Sequence, residues 1–257
     1  MKHAVAIVTP LYKKIPLASE VAALKHSFEV LANHQKFVVV PDTLDVSGYG
    51  SILDCCLIIR LNAKHFESVA AYSRLLLSKY FYQQFVSFEY VLILQPDTFV
   101  FRDDLDYWCE RGFDYVGAPW PRGEVTRPYS FRGDHLIARL LPWWNKPIRK
   151  FVGNGGLSLR KVSAALSALD KYWLRAKIWI GNEDMFWSLY ISFVPEEKQA
   201  SLFALEESPS GYYKANGNRL PFGCHAWEKH EPEFWRTQFE LSDDSKNLSL
   251  RMGKEES

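Results

Sequence analysis

Hydrophobic residues are spaced along this chain in two rhythms. Four short apolar runs, Ala4 to Val8, Phe37 to Val40, Leu57 to Leu61 and Tyr90 to Leu94, are nearly continuous. Runs of that length with no polar side predict strands buried on both faces, as in a parallel sheet. Between them, Ala18 to Ala32 and Ala70 to Phe85 repeat apolar residues at helical spacing, the second through Leu75, Leu76, Leu77 and Tyr80. Strand and helix in alternation predict right-handed crossovers, helices on both faces of the sheet, and ligands at the carboxyl ends of its strands. The second half is less regular and richer in Trp, Gly and Pro, with helical patterns over Asp134 to Leu141, Lys161 to Trp173 and Asn182 to Ile191. No linker or internal repeat divides the halves. The expected organisation is one α/β domain over residues 1–241, followed by a polar tail, 242–257, of flexible composition.

Composition narrows the class. A chain of 257 residues that is 47% hydrophobic can bury a large core. Its 31 Lys and Arg against 30 Asp and Glu leave no cationic excess of the kind a nucleic-acid surface needs, so nucleic acid is not an expected partner. Cys55, Cys56, Cys109 and Cys224 include no CxxC pair and are too sparse for a disulfide scaffold, which favours a reducing cytoplasm. The first apolar run stops at Thr9-Pro10, too short for a signal-peptide core. No uninterrupted apolar stretch approaches the ~20 residues that cross a bilayer, so membrane contact is expected to be peripheral, at the inner face. The segment Leu140 to Trp144, with Lys146, Arg149 and Lys150, reads first as packing tryptophans and second as a membrane or acceptor-sugar surface.

Four segments carry candidate chemistry. Val91 to Phe101 is an apolar strand that stops at Gln95-Pro96-Asp97 and resumes as a second apolar run. A carboxylate at such a strand end sits in the ligand crevice and suits a hard cation shared with a diphosphate, or else it caps a turn. Phe151 to Arg160 holds Gly153, Asn154, Gly155 and Gly156, a stretch that admits positive φ and close ligand approach. Its spacing is neither a dinucleotide fingerprint nor a P-loop, and an ordinary tight turn before a helix remains open. Glu183-Asp184 opens an apolar helical segment, where acids favour the helix dipole. An acid set among Trp179, Met185, Phe186 and Trp187 is also desolvated toward general-base strength. His225, in Pro221 to Trp227, is either a packing histidine or a second ligand to a cation held by Asp97.

In order and spacing, these four segments resemble the GT-A glycosyltransferases, which share a DxD-type metal motif, a glycine-rich loop, an xED motif and a late metal-binding histidine. The strings QPDTFVF, DYVGAPW, VGNGGLSLR, NEDMFWS and PFGCHAW look like a group of GT-A-like domains from polysaccharide biosynthesis, over roughly Ala4 to Trp227. The resemblance implies a Rossmann-like, mostly parallel central sheet flanked by helices. It also implies a divalent cation, Mn²⁺ or Mg²⁺, on Asp97 and His225, and a donor site bordered by Thr9, Pro10, the Tyr72-Ser73-Arg74 segment and Gln95. Gly153, Asn154, Gly155, Gly156 and Glu183 would then lie against donor or acceptor, and Asp184 would be the base of an inverting transfer. The implied partners are a nucleotide sugar, UDP-linked by analogy, and a glycan or lipid-linked glycan. Gln95 stands where the family has its first acid, leaving Asp97 as the motif's single carboxylate. A retaining transferase, a nucleotidyltransferase and an inactive sugar-binding module are the alternatives.

Overall fold

The computed structural model describes residues 4–128 and 145–241. A six-stranded sheet lies at its centre in the order β3-β2-β1-β4-β7-β6. Strands β1 (Val5–Pro10), β2 (Gln35–Pro41), β3 (Cys56–Leu61) and β4 (Tyr90–Leu94) are mutually parallel. The other two, β6 (Tyr115–Thr126) and β7 (Ile148–Lys161), form an antiparallel pair, with β7 running against β4. A small second sheet holds β5 (Thr98–Val100), β9 (Gly223–His225) and β8 (Ala204–Leu205).

Period-two alternation sorts the central strands onto two faces. Val5, Ile7, Val38, Val40, Leu92 and Leu94 point to one, where Leu24 and Phe28 of α1 (Ala18–Val30) and Leu105 and Trp108 of α4 (Leu105–Glu110) cover them. Ala6, Val8, Phe37, Val39, Val91 and Ile93 point to the other. There they meet α2 (Val69–Leu76), α3 (Lys79–Gln83), α5 (Val162–Lys171) and α7 (Glu183–Tyr190). Between α5 and α7 lies the short α6 (Trp173–Ile178); α8 (Glu197–Phe203) and α9 (Pro209–Ala215) follow. A third cluster joins Trp235 and Phe239 of α10 (Pro232–Leu241) to Phe99, Trp227 and Ala23, and so fixes the small sheet beside α1.

The expected α/β architecture is present, with four local differences. Strand β3 is an edge, and Leu57 and Ile58 are exposed rather than buried. Hydrophobicity alone cannot distinguish an edge from a centre. The helix expected over Ala70 to Phe85 divides at Leu77-Ser78, because the Ser78 hydroxyl accepts the Phe81 N–H at 3.3 Å and starts a second helix. The pattern over Lys161 to Trp173 likewise divides at Tyr172 into α5 and α6. The glycine-rich segment is neither loop nor turn: residues 153–156 lie inside β7, where register shifts against β6 absorb their irregularity. The expected helix over 134–141, the Leu140 to Trp144 segment and the 242–257 tail lie outside the described residues. Among the described residues no helix is long and apolar enough to cross a membrane.

Candidate active site

Strand β4 delivers Gln95, Pro96 and Asp97 to its carboxyl end. The turn closes by Thr98 N–H to the Gln95 carbonyl at 3.0 Å, and Gln95 N–H is held by the Gly156 carbonyl at 3.1 Å. Antiparallel pairing of β5 and β9 then sets Thr98 opposite His225. The consequence is a compact polar knot. His225 Nε2 lies 3.1 Å from Asp97 Oδ1 and 3.0 Å from Gln95 Oε1, while Nδ1 lies 2.7 Å from Glu206 Oε2. Glu206 follows β8, whose parallel pairing of Leu205 with Cys224 places it beside the imidazole. Burial pushes the His225 pKa down, but its bonds to Asp97 and Glu206 and their charges outweigh that and raise it to about 9. Burial alone would raise Asp97; its hydrogen bond to His225, the imidazolium charge and Lys229 at 4.0 Å hold it below the ordinary carboxylate value.

A carboxylate oxygen, an amide oxygen and an imidazole nitrogen on one spot form a donor set suited to Mn²⁺ or Mg²⁺. A cation bound here would displace the proton that Nε2 shares with Asp97 while Nδ1–H stays directed at Glu206, the arrangement in which a carboxylate orients a ligating histidine. No cluster of three or more His, Cys, Asp or Glu side chains poised for a metal occurs among the described residues. A cation at Asp97 and His225 would therefore complete its shell from a ligand and water.

The knot is joined to α7 through two glycines of β7. A Cβ on Gly156 would fall 2.2–2.4 Å from three atoms of the His225 ring, so only glycine fits there without displacing it. A Cβ on Gly155 would point the other way, 3.1 Å from Glu183 Oε1 and 3.3 Å from the Asp184 Cβ. Successive strand residues face opposite sides of the sheet. His225 and Asp184 thus approach one bare stretch of backbone from its two sides. Gly153 serves packing instead: at φ 153° its missing side chain admits the Trp120 ring, and its carbonyl accepts the Tyr115 hydroxyl at 2.6 Å. The Asn154 side chain accepts the Gly156 N–H at 3.3 Å.

The two acids that open α7 differ sharply. Glu183 is buried and takes the Arg160 guanidinium at 3.0 Å and the Ser73 hydroxyl at 3.1 Å. Arg160, itself buried, also donates to Tyr82 Oη and Ser158 Oγ and lies over the Tyr115 ring. Glu183 is thereby fixed as an anchor between β7, α2 and α7. Asp184 accepts the Met185 N–H at 2.7 Å and remains partly exposed. Burial first, and the Glu183 charge second, raise its pKa to about 7. An acid at that value is half ionised at neutral pH and can exchange protons in either direction.

A cleft of about 530 Å³ opens beside this site, lined by Pro10, Tyr12, Lys13, Tyr72, Gln95, Asp97 and Lys229 among others. Asp184 is outside that lining. Thr9 is fully buried behind Pro10, and its hydroxyl lacks a hydrogen-bond partner. Arg74, expected to border the nucleotide, is exposed on α2 and does not line the cleft, because the helix turns Tyr72 and Ser73 inward and the next side chain out. Lys13 and Lys229 are the cations the cleft contains instead. Neither Glu206 nor Arg160 stands out by residue type. Arg160 was legible only through strand alternation, sharing a face with Ser158 opposite Leu157 and Leu159, and Glu206 only if β8 were known to pair with β9.

A family model described as a protein of unknown function, DUF5672, matches residues 56–225. The chain belongs to the DUF5672 family. No curated protein matches it in sequence. Among solved structures, this DUF5672 protein is similar to the WbbM bifunctional glycosyltransferase in its apo form. The identity is 12% and the TM-score 0.53, over 90% of this chain and 47% of that one. It thus spans about half the length of WbbM. Mouse xyloside xylosyltransferase 1, apo form, is similar at 11% identity and a TM-score of 0.48, over 87% of this chain and 97% of that one. The galactosyltransferase LgtC, solved with donor and acceptor sugar analogues, is similar at 12% identity and a TM-score of 0.48, over 86% of each chain. The fold of this DUF5672 protein is the mixed α/β sheet of the GT-A type, as the sequence motifs implied.

Proposed function

We propose that the protein is a metal-dependent glycosyltransferase that moves a sugar from a nucleotide-sugar donor, UDP-linked by analogy, to a hydroxyl of a glycan or lipid-linked glycan, with inversion. The observation that carries this reading is the pairing of Asp97 with His225 at the carboxyl end of β4 in a GT-A fold, with Asp184 set against the adjoining Gly155 from the other side of β7. Asp97 and His225 would hold a divalent cation, Gln95 adding an amide oxygen and Glu206 fixing the imidazole. When bound, that cation would neutralise charge on the departing diphosphate. Lys13 and Lys229 add positive charge along the cleft. Asp184, with its pKa near 7, takes the proton of the acceptor hydroxyl as the hydroxyl attacks the anomeric carbon. Arg160 and Ser73 hold the neighbouring Glu183 and so set the position of the α7 N-terminus.

The test is a thermal-shift screen of nucleotide sugars with and without Mn²⁺, followed by NMR of the product formed from each donor that binds. A donor that stabilises the fold only with metal, and a product of inverted anomeric configuration, are expected. A retained configuration removes Asp184 from the base role. Release of pyrophosphate from a nucleoside triphosphate and a sugar phosphate indicates a nucleotidyltransferase, and donor binding with neither transfer nor hydrolysis indicates a binding module.

A further inference from the structure

Helix α6 is turned the wrong way for a helix that serves only the core. Its exposed residues, Trp173, Leu174, Lys177 and Ile178, lie at i, i+1, i+4 and i+5 and share one face, while Ala176 on the opposite side is buried. Trp173 is 60% exposed, Leu174 53% and Ile178 43%, and Ile180 just beyond is 51% exposed. Large apolar side chains gathered on one outward face, rather than scattered singly, mark an interaction surface.

The charge around this face points to its partner. From Lys171 to Asn182 the chain carries Lys171, Arg175 and Lys177 and no acid. Lys171 lies over the Tyr172 ring, and Arg175 over the rings of Tyr172 and Tyr190. Aromatic faces thus hold these cations at the surface. Among the described residues, neither Lys171 nor Lys177 is paired with a carboxylate, and the acid beside Lys171, Asp170, is taken by Lys79 at 2.6 Å. A groove of about 420 Å³ adjoins the helix, lined by Ser163, Ser167 and Lys171, donors of the kind that bind phosphate oxygens, and by Lys161, which lies 4.0 Å from Glu89. Its carboxylate, Asp114, accepts the Phe193 N–H at 3.1 Å. Tryptophan and aliphatic side chains projecting among lysines form the composition of an interfacial membrane anchor.

We propose that the outward face of α6 docks the protein on an anionic lipid bilayer, with Trp173, Leu174 and Ile178 entering the headgroup boundary and Lys171 and Lys177 at the phosphates. Docking there places the surface at Ile178, six residues before Asp184, so acceptors anchored in that bilayer are brought to the α7 side of the site. The docking itself is independent of the catalytic reading.

The test is co-sedimentation of the full chain with phosphatidylcholine vesicles and with vesicles of phosphatidylcholine mixed with phosphatidylglycerol. Binding to the anionic vesicles, weakened by salt, is expected. Trp173→Ala should weaken it by about tenfold or more through lost apolar burial, and Lys171→Gln and Lys177→Gln by about fivefold each. All three positions are exposed, and unchanged melting temperatures would show that the variants fold. Absence of binding to anionic vesicles, or binding that these variants leave unchanged, overturns the proposal. So does self-association in analytical ultracentrifugation that Trp173→Ala abolishes, which would assign the face to a second copy of the chain. Asp184→Asn should bind vesicles normally, so a failed transferase reading and a failed docking surface are told apart.

Discussion

Asp184→Asn should make the protein both more stable and less active, and each effect has its own pH dependence. The carboxyl is raised from 3.8 to about 7 by burial and by the Glu183 charge. An acid whose folded-state pKa lies above its unfolded one supports the native state while protonated. That support is complete below about pH 4 and is lost as pH rises through about 7. At about 1.4 kcal/mol for each tenfold change in protonation, ionisation costs the native state about 4 kcal/mol, and partial exposure to solvent reduces this to about 2–4 kcal/mol. Asparagine keeps the shape and the acceptor for Met185 N–H but carries no charge. Urea denaturation at pH 8 should therefore find the variant more stable than the wild type by about that amount. At pH 5 the gain should be less than half as large. Turnover should fall by about two to four orders of magnitude, while the wild-type rate rises with pH to a plateau above about 7. A stability gain equal at both pH values would refute the raised acid, and near-normal turnover would refute the base.

Gly156→Ala should push the His225 ring aside, costing about 1–3 kcal/mol by overpacking and abolishing Mn²⁺-dependent stabilisation by nucleotide while circular dichroism stays native. Glu206→Gln should weaken Mn²⁺ binding in calorimetry by about 10- to 100-fold, because the imidazole loses the carboxylate that fixes its tautomer. Arg160→Met leaves Glu183 buried without its cation and should cost about 3–5 kcal/mol in urea denaturation. Because Arg160 also lowers the Asp184 pKa, the same variant should move the alkaline plateau of the rate to higher pH.

The strand ends were legible because a run such as Tyr90 to Leu94 can only be buried, and burial stops where Gln95-Pro96-Asp97 begins. Pairing was not legible. Val91 and Ile93 read the same whether their neighbour is parallel or antiparallel, so the reversed β7 was invisible, and with it the strand character of Gly153 to Gly156. Glycine has low strand propensity, and here tertiary contacts from Trp120 and His225 override it. Asp97, Asp184 and His225 could be named from local pattern. Glu206 and Arg160 could not, since each acts through a partner 19 or more residues away in sequence.

One consequence of the two bare glycines concerns motion. The histidine side and the carboxylate side of the site are separated by the thickness of a single peptide strand, clamped to its neighbour by pairing such as Leu94 with Leu157 and by Gln95 N–H to the Gly156 carbonyl. Their spacing is therefore a fixed length rather than the variable gap of a hinge, and widening it means tearing the ladder between β4 and β7. Insertion of one residue ahead of Gly155 would exchange the two sides outright, so this stretch should tolerate substitutions elsewhere along the strand far better than any change in its length.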